Sequence, residues 1–599
     1  MAYNAANPII VQSDKSVLLE VQNDHYEEAR DWLARFAELE KSPEHIHTYR
    51  ITPLSLWNAA AAGLTAEAIV SALEEYSKYD LPGNVRVDVY DYISRFGRVK
   101  LIMRDGALLL VSDDKPLIVE IGGQKRMQPF IVERVDDLTL RVDALQRGHV
   151  KQVLVQIGYP AEDLAGYVEG AELPFHLLPL TRSGQPFGLR QYQQQAVEVF
   201  YAGGQASGGS GVIVLPCGAG KTMVGMGVMD KLQTATLILT PSTVAVRQWI
   251  AELQDKTDLS PDDVGEYSGL VKEIRPVTIT TYQILTHRKR RTDDFPHFKL
   301  FNERDWGLII YDEVHLLPAP IFRITAEIQA RRRLGLTATL IREDGRETDV
   351  FSLIGPKKYD VPWKDLEKQG WIATAECHEI RIPLPDDLRM TYALAEQREK
   401  FRVAAENPDK LEIVRQLLDK HREDTVLIMG TYLDQLQEIA EAIGAPLITG
   451  KTPVRERQAL FDQIRRGEIT QLVVSKVANF SVDLPDVNVA IQVSGTFGSR
   501  QEEAQRLGRI LRPKQHGLLA HFYALVTRDS RDQEFAARRQ LFLTEEGYRY
   551  EILYDHEVAE YEPVVLDVEA GVPTSRLLPA GSLVIDGELV HEGQEGNED

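Results

Sequence analysis

Apolar positions along this chain follow two rhythms. Over 26–40 (YEEARDWLARFAELE), Ala29, Trp32, Leu33 and Phe36 recur at three- and four-residue spacing, which predicts an amphipathic helix. A second helical stretch spans 64–77. Short apolar runs at 107–112 (ALLLVS), 117–121 and 152–156 read as strands. Residues 1–180 are therefore expected to form one or two small α/β modules, with no catalytic motif of their own. Gly, Pro and Ser in TRSGQPFG at 181–188 mark a boundary, and QASGGSG at 205–211 marks a second break.

Beyond that break, short apolar strands recur between longer helical stretches. One series is 211–215 (GVIVL), 236–240 (TLILT), 277–280 (VTIT) and 307–311 (GLIIY). Another is 425–429 (TVLIM), 471–474 (QLVV), 488–493 (NVAIQV) and 521–525 (HFYAL). Continuously apolar strands alternating with helices are the pattern of a parallel sheet covered on both faces. The expected fold class is α/β. An N-terminal α/β module (1–180) precedes two tandem parallel-sheet domains (181–375 and 376–560), and an acidic, partly disordered tail (561–599) follows.

Composition narrows the setting. No run of about 18 apolar residues is present, so no membrane span is expected. The opening MAYNAANPII lacks a basic stretch followed by an apolar core, so no signal peptide is expected. Two cysteines, Cys217 and Cys377, cannot build a disulfide framework or a cysteine-rich zinc site, which suits a reducing cytoplasm. The net charge of -22 argues against a uniformly basic surface for nucleic acid. Its distribution changes that picture: -9 lies in 1–180, -5 in 181–560 and -8 in 561–599. The expected surface is an acidic exterior around a locally basic cleft.

The strand GVIVL runs into Pro216-Cys217-Gly218-Ala219-Gly220-Lys221-Thr222 and then a helical stretch. This is the strand, loop and helix order of a phosphate-binding loop. Its glycines let backbone N–H groups close on phosphate oxygens, and the helix adds its positive end. Lys221 would neutralise β/γ-phosphate charge, and the Thr222 hydroxyl would ligate Mg²⁺. The generic pattern has a glycine separated by four residues from the Gly-Lys pair, where this chain has Leu215. Cys217 reads either as a thiol made reactive by Lys221 or as an inert packing residue.

The strand GLIIY ends in Asp312-Glu313-Val314-His315. Asp312 would hold Mg²⁺, and Glu313 would orient and deprotonate a water attacking the γ-phosphate. His315 would couple the nucleotide site to its neighbours, as would the hydroxyls of Thr337-Ala338-Thr339. In 505–512 (QRLGRILR), Arg506, Arg509 and Arg512 recur at three-residue spacing along one helix face. They are either a solvated face or arginines reaching a phosphate held by the other domain. Two further basic clusters, Arg288-Lys289-Arg290-Arg291 and Arg331-Arg332-Arg333, read either as DNA contacts or as solvated faces.

Taken together, PCGAGKT, DEVH, TAT and QRLGRILR resemble the motor of superfamily-2 helicases, whose two domains are RecA-like. Arg342-Glu343-Asp344, SKVANFSVDLPDVNVAIQVS (475–494), SRQEEAQRLGRILRPK (499–514) and RRQLFLTEEGYRYEIL (538–553) narrow the resemblance to the XPB family. These are DNA-repair helicases whose eukaryotic members belong to TFIIH, and the length is similar to compact prokaryotic members. The resemblance implies ATP and Mg²⁺ as cofactors, movement 3′ to 5′, and forked or junction DNA as the partner. It places the chain in the cytoplasm, at the nucleoid. Archaeal relatives work with a nuclease partner.

The resemblance also implies residue roles. Arg190 and Gln193 would read the adenine. Thr240, Pro241, Arg247 and Thr281 would contact a DNA strand from the first domain, and Thr449, Gly450, Ser475 and Lys476 from the second. Arg509 and Arg512 match arginine fingers, and Gln505 a γ-phosphate sensor. Arg342-Glu343-Asp344 would engage DNA at the fork, and 388–405 sits where the family carries a thumb-like element. The N-terminal module would recognise damage or dock. Two other readings stay open on sequence: a double-strand translocase without processive unwinding, and a DNA-binding ATP-switch scaffold.

Overall fold

The computed structural model describes residues 4–563, 582–585 and 588–591, except 43–44, 217, 270, 289–294, 330, 339–345, 362–365, 367–368, 370, 372–373, 476–486, 496–518 and 546–549. Two small sheets build the N-terminal region. The first is antiparallel in the order β1 (Ile9–Val11), β2 (Ser16–Glu20), β4 (Ile46–Arg50), β3 (Glu38–Lys41). The second runs β7 (Ile131–Arg134), β8 (Thr139–Val142), β6 (Ala107–Val111), β5 (Lys100–Arg104), β9 (Glu162–Leu164), with only the β5–β9 pair parallel. Each sheet has its own apolar core.

Three local expectations are corrected here. The run at 117–121 is part of a helix, Lys115–Gly123, and not a strand. Asp114 caps it by accepting from the Leu117 N–H at 3.2 Å, and Pro116 suits its first turn. The run at 152–156 lies in the helix Arg147–Gln156, which buries Val150 and Leu154. A short apolar run carries no period long enough to separate strand from helix. The helix expected over 26–40 spans Tyr26–Leu33, and Glu38–Lys41 turns back as β3.

His47 on β4 is 5% exposed, with the Tyr26 hydroxyl 3.2 Å from its Nδ1. Burial, reinforced by the Arg30 charge, pushes its pKa down to about 4. In the unfolded chain the ring titrates near its ordinary value of 6.5. Below that pH the unfolded chain takes up a proton that the folded one refuses. Stability is therefore lost as pH falls from 6.5 toward 4, by about 3 kcal/mol for this group. Melting curves across that window should show a smaller acid-induced loss for His47→Gln than for the parent chain. Equal losses would remove His47 as the cause.

The two larger domains are each a seven-stranded, wholly parallel sheet. The first has the order β12 (Val264–Tyr267), β13 (Val277–Thr281), β11 (Thr236–Thr240), β14 (Leu308–Asp312), β15 (Arg332–Thr337), β10 (Ser210–Val214), β16 (Lys357–Asp360). The second has the order β19 (Leu447–Ile448), β20 (Gln471–Ser475), β18 (Val426–Gly430), β21 (Val489–Gln492), β22 (Leu519–Thr527), β17 (Thr374–Ile382), β23 (Tyr550–Tyr554). Strands β10, β11, β13, β18 and β21 are buried along their whole length, as a sheet sandwiched between helices requires. In the tail, β24 (Ser582–Ile585) and β25 (Glu588–His591) form an antiparallel hairpin where the composition predicts disorder.

Parallel strands all deliver their C-terminal ends to one edge, where ligands bind in open α/β sheets. In the first domain that edge carries the phosphate-binding loop after β10, Thr240 ending β11, Thr281 ending β13 and Asp312 ending β14. Arg331-Arg332-Arg333 lies at the start of β15, on the opposite edge, and is held by partners within the fold and not presented as a solvated face. Arg331 donates to the Trp306 carbonyl, Arg332 pairs with Glu169, and Arg333 is fully buried, donating to the Leu353 and Gln329 carbonyls. Together with the buried Asp163, Arg147 and Lys151 cluster, these arginines join the N-terminal region to the first parallel sheet.

Candidate active site

Strand β10 is the second strand from one edge of its sheet, flanked by β15 and β16, and hands the chain to the loop at Leu215. Leu215 is fully buried, and its N–H donates to the Thr337 carbonyl at 2.9 Å. The residue that departs from the generic loop pattern is thus the last core residue of the strand. Pro216 and Ala219 are buried, and Gly218 is exposed; Cys217 lies outside the described residues. Gly220 has φ +81°, and a Cβ there would fall 2.5 Å from Gln193 Nε2, so only glycine fits. The helix Lys221–Leu232 begins at the next residue, with Thr222 in its first turn.

The carboxylates meet this loop from β14. Asp312 ends the strand, and Glu313 follows in the left-handed region at φ +51°. That bend brings Glu313 Oε1 to 3.2 Å from Lys221 Nζ. Its other oxygen lies 3.5 Å from His315 Nδ1, which is 2.6 Å from the Thr337 hydroxyl. A chain of contacts therefore runs from Lys221 through Glu313 and His315 to the end of β15. Thr339 lies outside the described residues.

Asp312 Oδ2 accepts from the Trp249 indole N–H at 2.9 Å, and the Asp312 carbonyl accepts from the Tyr282 hydroxyl at 2.7 Å. Burial, reinforced by the Glu313 charge, pushes the Asp312 carboxyl up to about 6, against the pull of Trp249 and Lys221. Burial also works to raise Glu313, but Lys221 and His315 outweigh it and hold that carboxyl below its ordinary value. Two adjacent carboxyls are thus driven apart in acidity, one poised as an ionised base beside a lysine.

Beside the loop, Arg190 precedes the helix Gln191–Tyr201, and its N–H donates to Gln193 Oε1 at 2.9 Å. Gln193 Nε2 donates to the Ala219 carbonyl at 2.8 Å, and the Tyr192 hydroxyl to the same oxygen at 2.7 Å. The Arg190 guanidinium stacks over Trp371, 4.3 Å from the ring centre. Both proposed base-reading residues therefore adjoin the loop.

The strand-contacting residues are placed less directly. Thr240 and Thr281 are register partners at adjacent strand ends, but both side chains are buried. The Thr240 hydroxyl donates to the Thr280 carbonyl at 3.1 Å, and the Thr281 hydroxyl accepts from the Ile284 N–H at 3.2 Å. Their hydroxyls serve the fold. Arg247 is exposed on the following helix. In the second domain Ser475 is buried at the end of β20, Thr449 is half-buried and Gly450 is exposed. Lys476, Arg342, Glu343, Asp344, Gln505, Arg509 and Arg512 lie outside the described residues, as do Lys289, Arg290 and Arg291. The thumb-like stretch is two helices, Asp386–Leu394, which buries none of its side chains, and Gln397–Ala405, which buries Phe401, Ala404 and Ala405.

Three profiles of known families match. Residues 366–570 fit the ERCC3/RAD25/XPB C-terminal helicase, 186–342 the type III restriction enzyme res subunit, and 9–136 a helicase conserved C-terminal domain. The chain is 56% identical over 544 residues to the DNA 3′-5′ helicase XPB of Mycobacterium tuberculosis, covering 91% of this chain and 97% of that one. It belongs to the XPB helicase family. The XPB of Kineococcus radiotolerans is 53% identical over 94% of this chain and 98% of its own. The TFIIH helicase/translocase subunit XPB of Encephalitozoon cuniculi is 32% identical over 99% of this chain and 89% of its own. Against this XPB background, Trp249, Tyr282 and Trp371 stand at the site without a motif that announces them. Indole and phenol donors carry no motif spacing; only the packing shows where they point.

Proposed function

We propose that this XPB-family chain is an ATP-dependent DNA helicase that moves 3′ to 5′ and opens duplex DNA in repair. The observation that carries this reading is the meeting of Lys221 and Glu313 at 3.2 Å, with Asp312 beside them at one strand end. That is the arrangement of a phosphate-binding lysine facing a general base. A triphosphate in the loop would draw the Lys221 ammonium away from Glu313, leaving the base to take a proton from water. Thr222 and Asp312 offer hard oxygen donors suited to Mg²⁺, which supplies charge neutralisation at the phosphates. Arg509 and Arg512 from the second domain would complete the site, so hydrolysis would require the domains to close.

The names of the relatives support DNA as the substrate and 3′ to 5′ as the direction. The helix starts after β11 and β13, with the exposed Arg247, are suited to backbone phosphates. Turnover should rise on adding forked DNA, and that stimulation should fall steeply with salt. Strand displacement from a fork with a 3′ tail, compared with triplex displacement, tests the rest. Triplex displacement without strand displacement would instead make the chain a duplex translocase.

A further inference from the structure

Two buried side chains outside the phosphate-binding loop donate to Asp312, and each comes from a different element of the sheet edge. Trp249 lies two turns into the helix Thr243–Lys256, which leaves the end of β11. It is 1% exposed, and its ring is wedged against the loop's own helix at Gly225, where a Cβ would fall 2.5 Å from the indole. Its N–H is held by Asp312 Oδ2. Tyr282 opens the turn Tyr282–Leu285, which leaves the end of β13, and is 4% exposed. Its hydroxyl is held by the Asp312 carbonyl.

These elements start side by side, since Thr240 and Thr281 are register partners. Their first turns point to the same edge as the nucleotide loop. A backbone phosphate held by the exposed Arg247 on the first helix would bear on the elements that carry Trp249 and Tyr282. Displacing either element breaks a buried hydrogen bond to Asp312 unless Asp312 follows, and breaking such a bond is costly. Both elements therefore converge on one residue, through its side chain and its backbone.

We propose that Trp249 and Tyr282 are positioning residues that couple DNA contact to the ATP site through Asp312. This rests on the reading of the chain as a DNA-stimulated ATPase. The test uses the full chain with Tyr282→Phe, which keeps the ring and removes the donor, and Trp249→Phe, which removes the donor together with part of the packed indole. ATP turnover is measured without DNA and at saturating forked DNA, alongside DNA affinity by anisotropy, KM for ATP and thermal melting. The expected result is a DNA-stimulation ratio lowered by about tenfold in each variant, the scale of one hydrogen bond to a charged or backbone acceptor. DNA affinity and KM should stay close to the parent's in both variants, and melting temperature in Tyr282→Phe, while Trp249→Phe also melts lower through the cavity it leaves. The double variant should fall by less than the product of the two, because both act on one residue.

Unchanged stimulation in Tyr282→Phe and Trp249→Phe would overturn the proposal. A ratio that falls only in step with DNA affinity, or in Tyr282→Phe with melting temperature, would also overturn it, since that marks a packing role. If the parent chain itself shows no DNA stimulation, the functional reading fails instead, and the two failures are told apart by that single control.

Discussion

Replacing Glu313 by glutamine is expected to lower ATP turnover by about 10²–10⁴-fold, the range of a positioned general base. Nucleotide binding should persist or tighten. Glu313 is the carboxylate 3.2 Å from Lys221, so its neutralisation frees that ammonium for phosphate. It also removes a charge that helps raise Asp312, leaving the latter more readily ionised for Mg²⁺. Steady-state turnover and calorimetric binding of a non-hydrolysable ATP analogue measure the two effects separately. Near-normal turnover in Glu313→Gln would falsify its role as base and reduce it to a structural partner of Lys221.

Lys221→Ala should abolish DNA-stimulated turnover, with a loss of about 10²–10³-fold or more, the scale for removing one preorganised electrostatic donor. DNA binding should be spared, because Lys221 is turned to Glu313 at the nucleotide loop while Arg247 is exposed on the following helix. A second consequence follows from the burial of the site. Without the ammonium beside Glu313, Asp312 and Glu313 become adjacent half-buried carboxyls with no lysine partner, and one should take up a proton. Adding Glu313→Gln to Lys221→Ala should therefore cost little more turnover, because the two residues act as one unit. Retained turnover in Lys221→Ala would sink the loop assignment.

Much of the motor was legible in the chain itself because its strands are buried on both faces. Such strands need continuous apolar runs, and GVIVL, TLILT, TVLIM and QLVV appear as strands within one residue of their expected bounds. The N-terminal region was less legible. LIVEI and QVLVQ satisfy helix and strand equally over five residues, and a capping aspartate with a following proline tips the first of them to helix. Charge runs were least legible. Arg331-Arg332-Arg333 looks like a nucleic-acid patch in one dimension, yet Arg333 is sealed among backbone carbonyls and Tyr167.

By itself, the amino-acid order determined the parallel-sheet architecture, the phosphate loop and the carboxylate pair, since each is a local pattern with a local physical cause. Hydrophobic periodicity sets strands, glycine sets the loop, and a strand end sets Asp312 and Glu313. Only the tertiary structure decided which partner each charge meets. It brought Glu313 to Lys221 across 92 positions of sequence, and it closed Trp249 and Tyr282 onto Asp312. Those contacts depend on strand order, on a left-handed bend at Glu313 and on a helix approach that Gly225 alone permits. None of these is written as spacing along the chain, because burial and hydrogen-bond direction exist only once the sheet is assembled.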